Sequence, residues 1–336
     1  MSDVVRTWRL FDCQPPFCQT RPMSGFEIEV RAPFDFAATA RFLRFTEHET
    51  VDLFEEGKYR RALDCGGRLC LLEVEAVAGR LAARTRLEKG RPTKQLLREA
   101  ERAVRCLFSP EHDLEPFRQR AARDPLMRAL EREHRGLRLA RWPSLFEALV
   151  ISILSQQIAT KVAMVLKRRF VERFGKRVKV GGREYIAFPA AATVASLQPD
   201  DLRPLGIAAS KAASIVGVAR AIEFGEVEAE TLARQDNETI ISRLTSLRGV
   251  GRWTADWTLI LHFGRTDVYP AGDLVLRAMV EKYYGGGRPL GEKGVRALAE
   301  DLWGEWASYA AIYLVAGLRA GRVTVKPNDM LSSNGR

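Results

Sequence analysis

Apolar and polar positions alternate along the first part of the chain and adopt helical spacing later, with the change near residue 110. Phe26, Ile28 and Val30 face one way and Glu27 and Glu29 the other, the period of a half-buried strand. Tyr59 to Cys65, Arg68 to Ala76 and Arg80 to Leu87 read as further strands joined by glycine-containing turns, and Phe36 to Phe45 reads as a helix. Leu96, Leu97, Ala100, Val104 and Leu107 recur at i, i+1, i+4, i+8 and i+11, which predicts a helix over Thr93 to Phe108. Residues 1–110 therefore read as a small α+β layer.

From Leu114 onward the pattern is helical and no strand pairing is evident. Breaks fall at Trp142-Pro143, Phe188-Pro189, Pro199, Pro204, Gly225, Gly249, Pro270 and Gly285-Gly286-Gly287. The clearest helices are Leu145 to Phe174, Ser210 to Glu223, Glu238 to Leu247, Thr254 to Phe263, Leu274 to Tyr284 and Gly294 to Leu318, the last interrupted near Trp303 to Ala307. Residues 111–326 form this mainly α unit, and 327–336 read as a polar, fraying tail.

With 336 residues, 46% of them hydrophobic, the chain can bury a sizeable core. No apolar run approaches the ~18 residues of a transmembrane helix, and Met1 to Arg6 lacks the apolar run of a signal peptide, so a cytoplasmic protein with no membrane partner is expected. Of the five cysteines, Cys13 and Cys18, and Cys65 and Cys70, share a C-x4-C spacing at the loose end of structural zinc motifs; Cys106 is the fifth. The preferred reading makes Cys65 and Cys70 strand residues flanking a Gly66-Gly67 hairpin. The last two-thirds contain no cysteine, which excludes a four-cysteine iron-sulfur cluster near the C-terminus. The net charge of +11 gives a salt-sensitive attraction to polyanions, although clusters such as Lys167-Arg168-Arg169 also suit solvated helix faces.

Within the helical part, Leu247-Arg248-Gly249-Val250-Gly251-Arg252-Trp253-Thr254-Ala255 joins two amphipathic segments. Gly249 and Gly251 permit a tight turn at positive φ, and unpaired amides at the start of the second helix can hold a phosphate without reading a base. This is a helix-hairpin-helix. Eighteen residues after Ala255 comes Asp273, in Pro270-Ala271-Gly272-Asp273-Leu274, at the start of a helix. There it can cap the amides of Val275 or Leu276, and a carboxylate beside a deoxyribose can also stabilise positive charge developing at C1′.

These motifs resemble the helix-hairpin-helix DNA glycosylases, and within them the 3-methyladenine DNA glycosylase II family, over most of the chain. Leu145 to Leu149 with Ile153-Leu154-Ser155-Gln156-Gln157-Ile158, and Leu205-Gly206-Ile207 with Lys211-Ala212, are similar to its other signatures. The resemblance implies a fold of two helical lobes, 141–265 with the hairpin at 247–255, and 111–140 joined by 266–326, behind an N-terminal antiparallel sheet like that of TATA-binding protein. It implies base flipping in double-stranded DNA and hydrolysis of the N-glycosidic bond of an alkylated purine by a monomer, with Asp273 as the essential carboxylate. It places Gln157, with Gln156 beside it, as the wedge filling the stack, and Lys211, Gly249, Val250, Gly251, Arg252 and Thr254 at the DNA. Main-chain carbonyls of Thr245, Leu247 and Val250 would hold a Na+ or K+ ion; no cofactor is needed for catalysis. Bifunctional relatives carry lysine where this chain has Trp253, so a monofunctional enzyme without lyase activity is expected. Trp253, Trp257 and Phe42 would line the base pocket, whereas Val315 stands where well-known relatives stack a tryptophan, with Tyr309 and Tyr313 shortly before it.

Two alternatives keep the same motifs. One is a glycosylase for deaminated or oxidised bases, with a different pocket lining; the other is a DNA-binding or damage-sensing protein without chemistry, in which Asp273 is a helix cap alone. Walker, nucleophile-elbow and H-E-x-x-H patterns are absent from the sequence.

Overall fold

The computed structural model describes residues 24–44, 49–65 and 67–325. Alternation builds its first layer: Phe26 and Ile28 of β1 (Ser24–Glu29) are buried, and Glu27 and Glu29 are exposed. Helix α1 (Phe36–Leu43) follows, with Asp35 capping the Ala38 amide. The helix ends at Leu43, where Arg44 turns extended, two residues short of the predicted Phe45, which itself lies outside the described residues. β2 (Leu53–Glu55), β3 (Lys58–Cys65), β4 (Arg68–Val77) and β5 (Arg80–Leu87) complete an antiparallel sheet of order β1-β5-β4-β3-β2. The two-residue turn Ala78-Gly79 has positive φ at both positions, which matches strand twist and sets the β4–β5 register. Helix α2 (Lys94–Phe108), capped by Thr93, buries Leu96, Ala100, Val104 and Leu107 in the same core as the sheet.

Cys65 and Cys70 are buried on β3 and β4, with sulfurs 3.9 Å apart and no disulfide. Cys13 and Cys18 lie outside the described residues. Among the described residues no cluster of three or more His, Cys, Asp or Glu could hold a metal ion, and no helix is long and apolar enough to cross a membrane.

The helical part comprises α3 (Glu115–Ala121), α4 (Pro125–Glu133), α5 (Leu145–Ser155) and α6 (Thr160–Phe174). Strands β6 (Arg177–Val180) and β7 (Arg183–Ile186) come next, then α7 (Ala191–Ala195), α8 (Ala209–Glu223), α9 (Ala229–Leu232) and α10 (Asn237–Thr245). Helix α11 (Arg252–Thr258) widens into a π turn over Leu259–Phe263, and α12 (Leu274–Tyr283), α13 (Gly291–Trp303) and α14 (Ala307–Arg319) end the described chain. Helices α3 and α4 return against the C-terminal ones: the Phe117 ring lies 4.9 Å from that of Tyr313, and Tyr284 Oη donates to Asp124 Oδ2 at 2.7 Å.

Two features differ from the sequence reading. The single helix expected over Leu145 to Phe174 is two, because Lys211 Nζ donates to the carbonyls of Leu154 and Gln156, diverting the chain into a turn where Gln157 has φ 55°. Strand pairing does occur after residue 114, as the β6–β7 hairpin. Val178, Tyr185 and Ala187 of this segment pack on Ala62 and Leu71 of the sheet, flanked by Lys176–Asp64 (2.8 Å) and Arg183–Glu55 (2.7 Å) ion pairs. Strands of four residues carry too little alternation to be read locally, and their apolar partners lie about a hundred residues earlier.

Sheet and helices also meet through buried charge. Arg61 of β3 contacts Asp52 Oδ1 at 2.6 Å and Glu147 of α5, while Lys167 of α6 contacts Glu49 at 3.0 Å and Asp52 at 3.6 Å. Burial, countered by Arg61, pushes the Glu147 carboxyl up to about 7. Asp52 stays below the ordinary carboxylate value: Arg61 and Lys167 and the Tyr59 hydroxyl overcome its burial.

Candidate active site

The hairpin joins α10 to α11 through residues 246–251. Gly249 has φ 80°, and a Cβ there would overlap the Ser214 side chain, so both backbone and space require glycine. Gly251 departs from the expected positive φ: its values are −92° and 176°, and an added Cβ would meet nothing within 4 Å. Val250 is buried and pins the turn to the core.

Asp273 caps α12. Its Oδ1 accepts from the amides of Val275 and Leu276 at 3.1 and 3.2 Å, as the spacing predicted. Its Oδ2 accepts from the indole nitrogens of Trp253 at 3.1 Å and Trp257 at 3.3 Å. Four N–H donors thus orient one half-buried carboxylate. Burial and then the charge of Asp273 hold the Tyr269 phenol well above its ordinary value, so it stays a neutral donor to Leu276 O.

The two tryptophans, expected as ring faces toward a base, therefore also serve through their N–H edges. Their i, i+4 spacing on one helix face was the available signal. Phe42 is buried under the Arg319 guanidinium, 4.5 Å from its ring. Tyr309 and Tyr313 are correctly placed on α14 but fully buried: Tyr309 Oη meets His112 Nδ1 at 2.7 Å, and Tyr313 Oη donates to Leu137 O at 3.2 Å. They pack with Phe117 as core instead of lining an open pocket, and Val315 is half-buried beside them on the same helix.

Several expected DNA contacts turn inward. Gln156 Nε2 donates to Gly249 O at 3.0 Å and Thr254 Oγ1 at 2.9 Å, bolting the α5–α6 turn to the hairpin, and Thr254 is fully buried. Lys211 is spent on the carbonyls ending α5, and burial lowers its amine below the ordinary lysine value. Arg252 pairs with Asp256 at 2.9 Å and Glu238 at 3.0 Å. Gln157, by contrast, is exposed. Among the residues expected to hold a cation, Thr245 ends α10, Leu247 lies in the turn after it, and Leu247 O accepts the Val250 amide at 3.1 Å.

Asp256 lies on α11 in sequence between Trp253 and Trp257. In the fold it is fully buried, with Arg252 on one oxygen and Arg296 on the other at 3.2 Å. Burial pushes its carboxyl up, against the pull of Arg296 and Arg252.

A glycine turn at Gly249 and Gly251 is thus followed, one helix on, by a carboxylate held by four N–H groups. Residues 150–305 match the HhH-GPD superfamily of base excision DNA repair proteins and residues 25–144 the AlkA N-terminal domain, and the chain belongs to that superfamily. It is a DNA glycosylase. DNA-3-methyladenine glycosylase of Bacillus subtilis (strain 168) is 30% identical over 282 residues, covering 84% of this chain and 93% of its own length. DNA-3-methyladenine glycosylase 2 of Escherichia coli (strain K12) is 28% identical over 179 residues, 53% of this chain and 60% of that one. The solved 3-methyladenine DNA-glycosylase from Archaeoglobus fulgidus superposes with a TM-score of 0.77 at 27% identity, covering 89% of this chain and all of the other.

Proposed function

We propose that this glycosylase acts as a monomer on duplex DNA, extrudes an alkylated purine nucleotide and hydrolyses its N-glycosidic bond, leaving an abasic site with the strand intact. The observation that carries this reading is Asp273, whose Oδ1 is held by two amides and whose Oδ2 is aimed by two indoles. A 3-methyladenine or 7-methylguanine base is already cationic, so it leaves with little help from an acid. As the bond to C1′ lengthens, positive charge grows on the sugar and the fixed carboxylate stabilises it and orients water. The half-exposed indoles of Trp253 and Trp257 offer electron-rich faces for the cationic base.

The hairpin would take a backbone phosphate on its amides. Gly251 supports this, because nothing inside the protein demands a missing side chain there. Gln157, a non-glycine residue at φ 55° on an exposed turn, has the placement of a wedge entering the stack. The main-chain oxygens of Thr245, Leu247 and Val250 are neutral hard donors suited to a monovalent cation, which would add positive charge beneath the same phosphate. Trp253 supplies no amine for a Schiff base, and Lys282 Nζ is engaged by Thr324 O at 2.8 Å near the far end of α12.

The test is single-turnover base release by wild type and Asp273→Asn from duplexes carrying 7-methylguanine, 1,N6-ethenoadenine, hypoxanthine, uracil or 8-oxoguanine, with and without alkali. Wild type should give alkali-dependent breaks at the alkylated bases, and Asp273→Asn should bind while losing at least about 100-fold in rate. Release of only uracil, hypoxanthine or 8-oxoguanine overturns the substrate, strand breaks without alkali overturn the monofunctional reading, and no release at all overturns the chemistry.

A further inference from the structure

Asp256 is a fully buried carboxylate that caps no helix, yet it lies on α11 in sequence between the two tryptophans that hold Asp273. Arg296, reaching from α13, donates through Nη2 to Asp256 Oδ2 at 3.2 Å and through Nη1 to the Tyr269 carbonyl at 3.2 Å. Tyr269 opens the Tyr-Pro-Ala-Gly-Asp segment that ends in Asp273. The loop is thus tied to α11 at both ends: at Tyr269 through Arg296 and Asp256, and at Asp273 through Trp253 and Trp257. Glu292 steadies the guanidinium at 2.8 Å and lies against Gly272, where an added Cβ would be 3.5 Å from its carboxylate and 3.6 Å from Trp253 Cβ. The other Asp256 oxygen takes Arg252 Nε at 2.9 Å, and Arg252 directly follows Gly251 of the hairpin.

We infer that Arg296 and Asp256 are positioning residues for base release, fixing the entry of the carboxylate loop to the helix that starts at the DNA grip so that Asp273 Oδ2 keeps its aim when the duplex is bent. Val268 already ties the loop's entry to α14, its amide donating to Ser308 Oγ at 3.1 Å and its carbonyl accepting from that hydroxyl at 2.6 Å; the Arg296 fork adds the link from Tyr269 to α11 that these bonds do not supply. Only a fork-shaped cation serves, since Asp256 and Tyr269 O are reached by different nitrogens of one plane. The inference rests on the glycosylase reading above for its kinetic consequence, and on geometry alone for its structural one.

The experiment uses the full chain as wild type, Arg296→Met and Arg296→Lys. Three quantities are read: the single-turnover rate on a 7-methylguanine duplex, the Kd for a duplex with an abasic-site analogue, and the 15N–1H indole resonances of Trp253 and Trp257, assigned by Trp→Phe variants. Arg296→Met should lose up to about 100-fold in rate with Kd changed by less than about twofold, and should move both indole resonances. Arg296→Lys, which restores the charge but not the fork, should fall between. If Arg296→Met does not fold, the double variant Asp256→Asn with Arg296→Met removes the buried charge along with its partner and carries the same expectation. Unmoved indole resonances, an unchanged rate, or a rate loss matched by an equal loss of DNA affinity overturns the inference. Should wild type release no base from any duplex, the functional reading fails, while the resonances still decide whether the tether positions the loop.

Discussion

At Gly249 a positive φ and the adjoining Ser214 side chain leave no room for a Cβ, whereas Gly251 has ordinary angles and open space around it. The fold itself requires the first glycine, whereas nothing within the protein requires the second, which the proposed phosphate contact would use. Gly249→Ala should therefore cost more than the roughly 1–2 kcal/mol of a left-handed alanine, and thermal unfolding should show it. Gly251→Ala should melt within about 1 °C of wild type yet bind duplex DNA about tenfold more weakly, since a methyl group would stand in the way of the proposed phosphate contact. Equal melting losses in both variants would contradict that division. The same contrast separates Gln156 from Gln157: neighbours in sequence, one spent on Gly249 O and Thr254, the other exposed. Asp273 was legible because its cap partners lie two and three residues away; the indoles that aim its second oxygen sit 16 and 20 residues earlier and showed only as a spacing.

Among the elements, α5 meets the sheet through Glu147, and its titration yields a pH prediction. Its ordinary value of 4.5 is raised to about 7 by burial, so between those values the folded chain keeps a proton that the unfolded chain releases. Stability from this group is complete below pH 4.5 and is lost as pH rises toward 7. Glu147→Gln imitates the protonated form at every pH, so its melting temperature should gain on wild type across that window, as calorimetry would show; a constant difference would refute the shift. Asp52, held low by Arg61 and Lys167, acts in the opposite sense and only below its ordinary 3.8. Removing the shared cation by Arg61→Met leaves Glu147 without its buried ion partner and Asp52 with Lys167 as its remaining cation, and should cost about 3–5 kcal/mol. None of this was visible in the pattern of α5, because the Arg61 partner of Glu147 lies 86 residues earlier in the chain.

For the whole molecule, the count of 53 lysines and arginines overstates the cations free for DNA, because Lys167 and Lys211 are committed within the fold and Arg252 is paired with Asp256 and Glu238. Affinity for an undamaged duplex should still fall steeply with salt, each phosphate contact adding about 0.9 to the log–log slope. Lys211→Met tests the reassignment: it should lower the melting temperature and leave that slope unchanged, and a slope reduced by about 1 would return Lys211 to the DNA surface. Release rate at saturating enzyme should hardly respond to salt, since the carboxylate is oriented by hydrogen bonds within the protein. Alternation, caps and glycine turns act over a few residues, so the sheet, most helices, the hairpin and Asp273 could be read directly along the chain. The tertiary structure alone decided which charges are consumed internally, which aromatic residues are core, that β6 and β7 pair over the sheet, and that indoles and Arg296 converge on one loop. Those outcomes depend on groups brought together from distant parts of the chain, and no local pattern encodes where a side chain's partner will be.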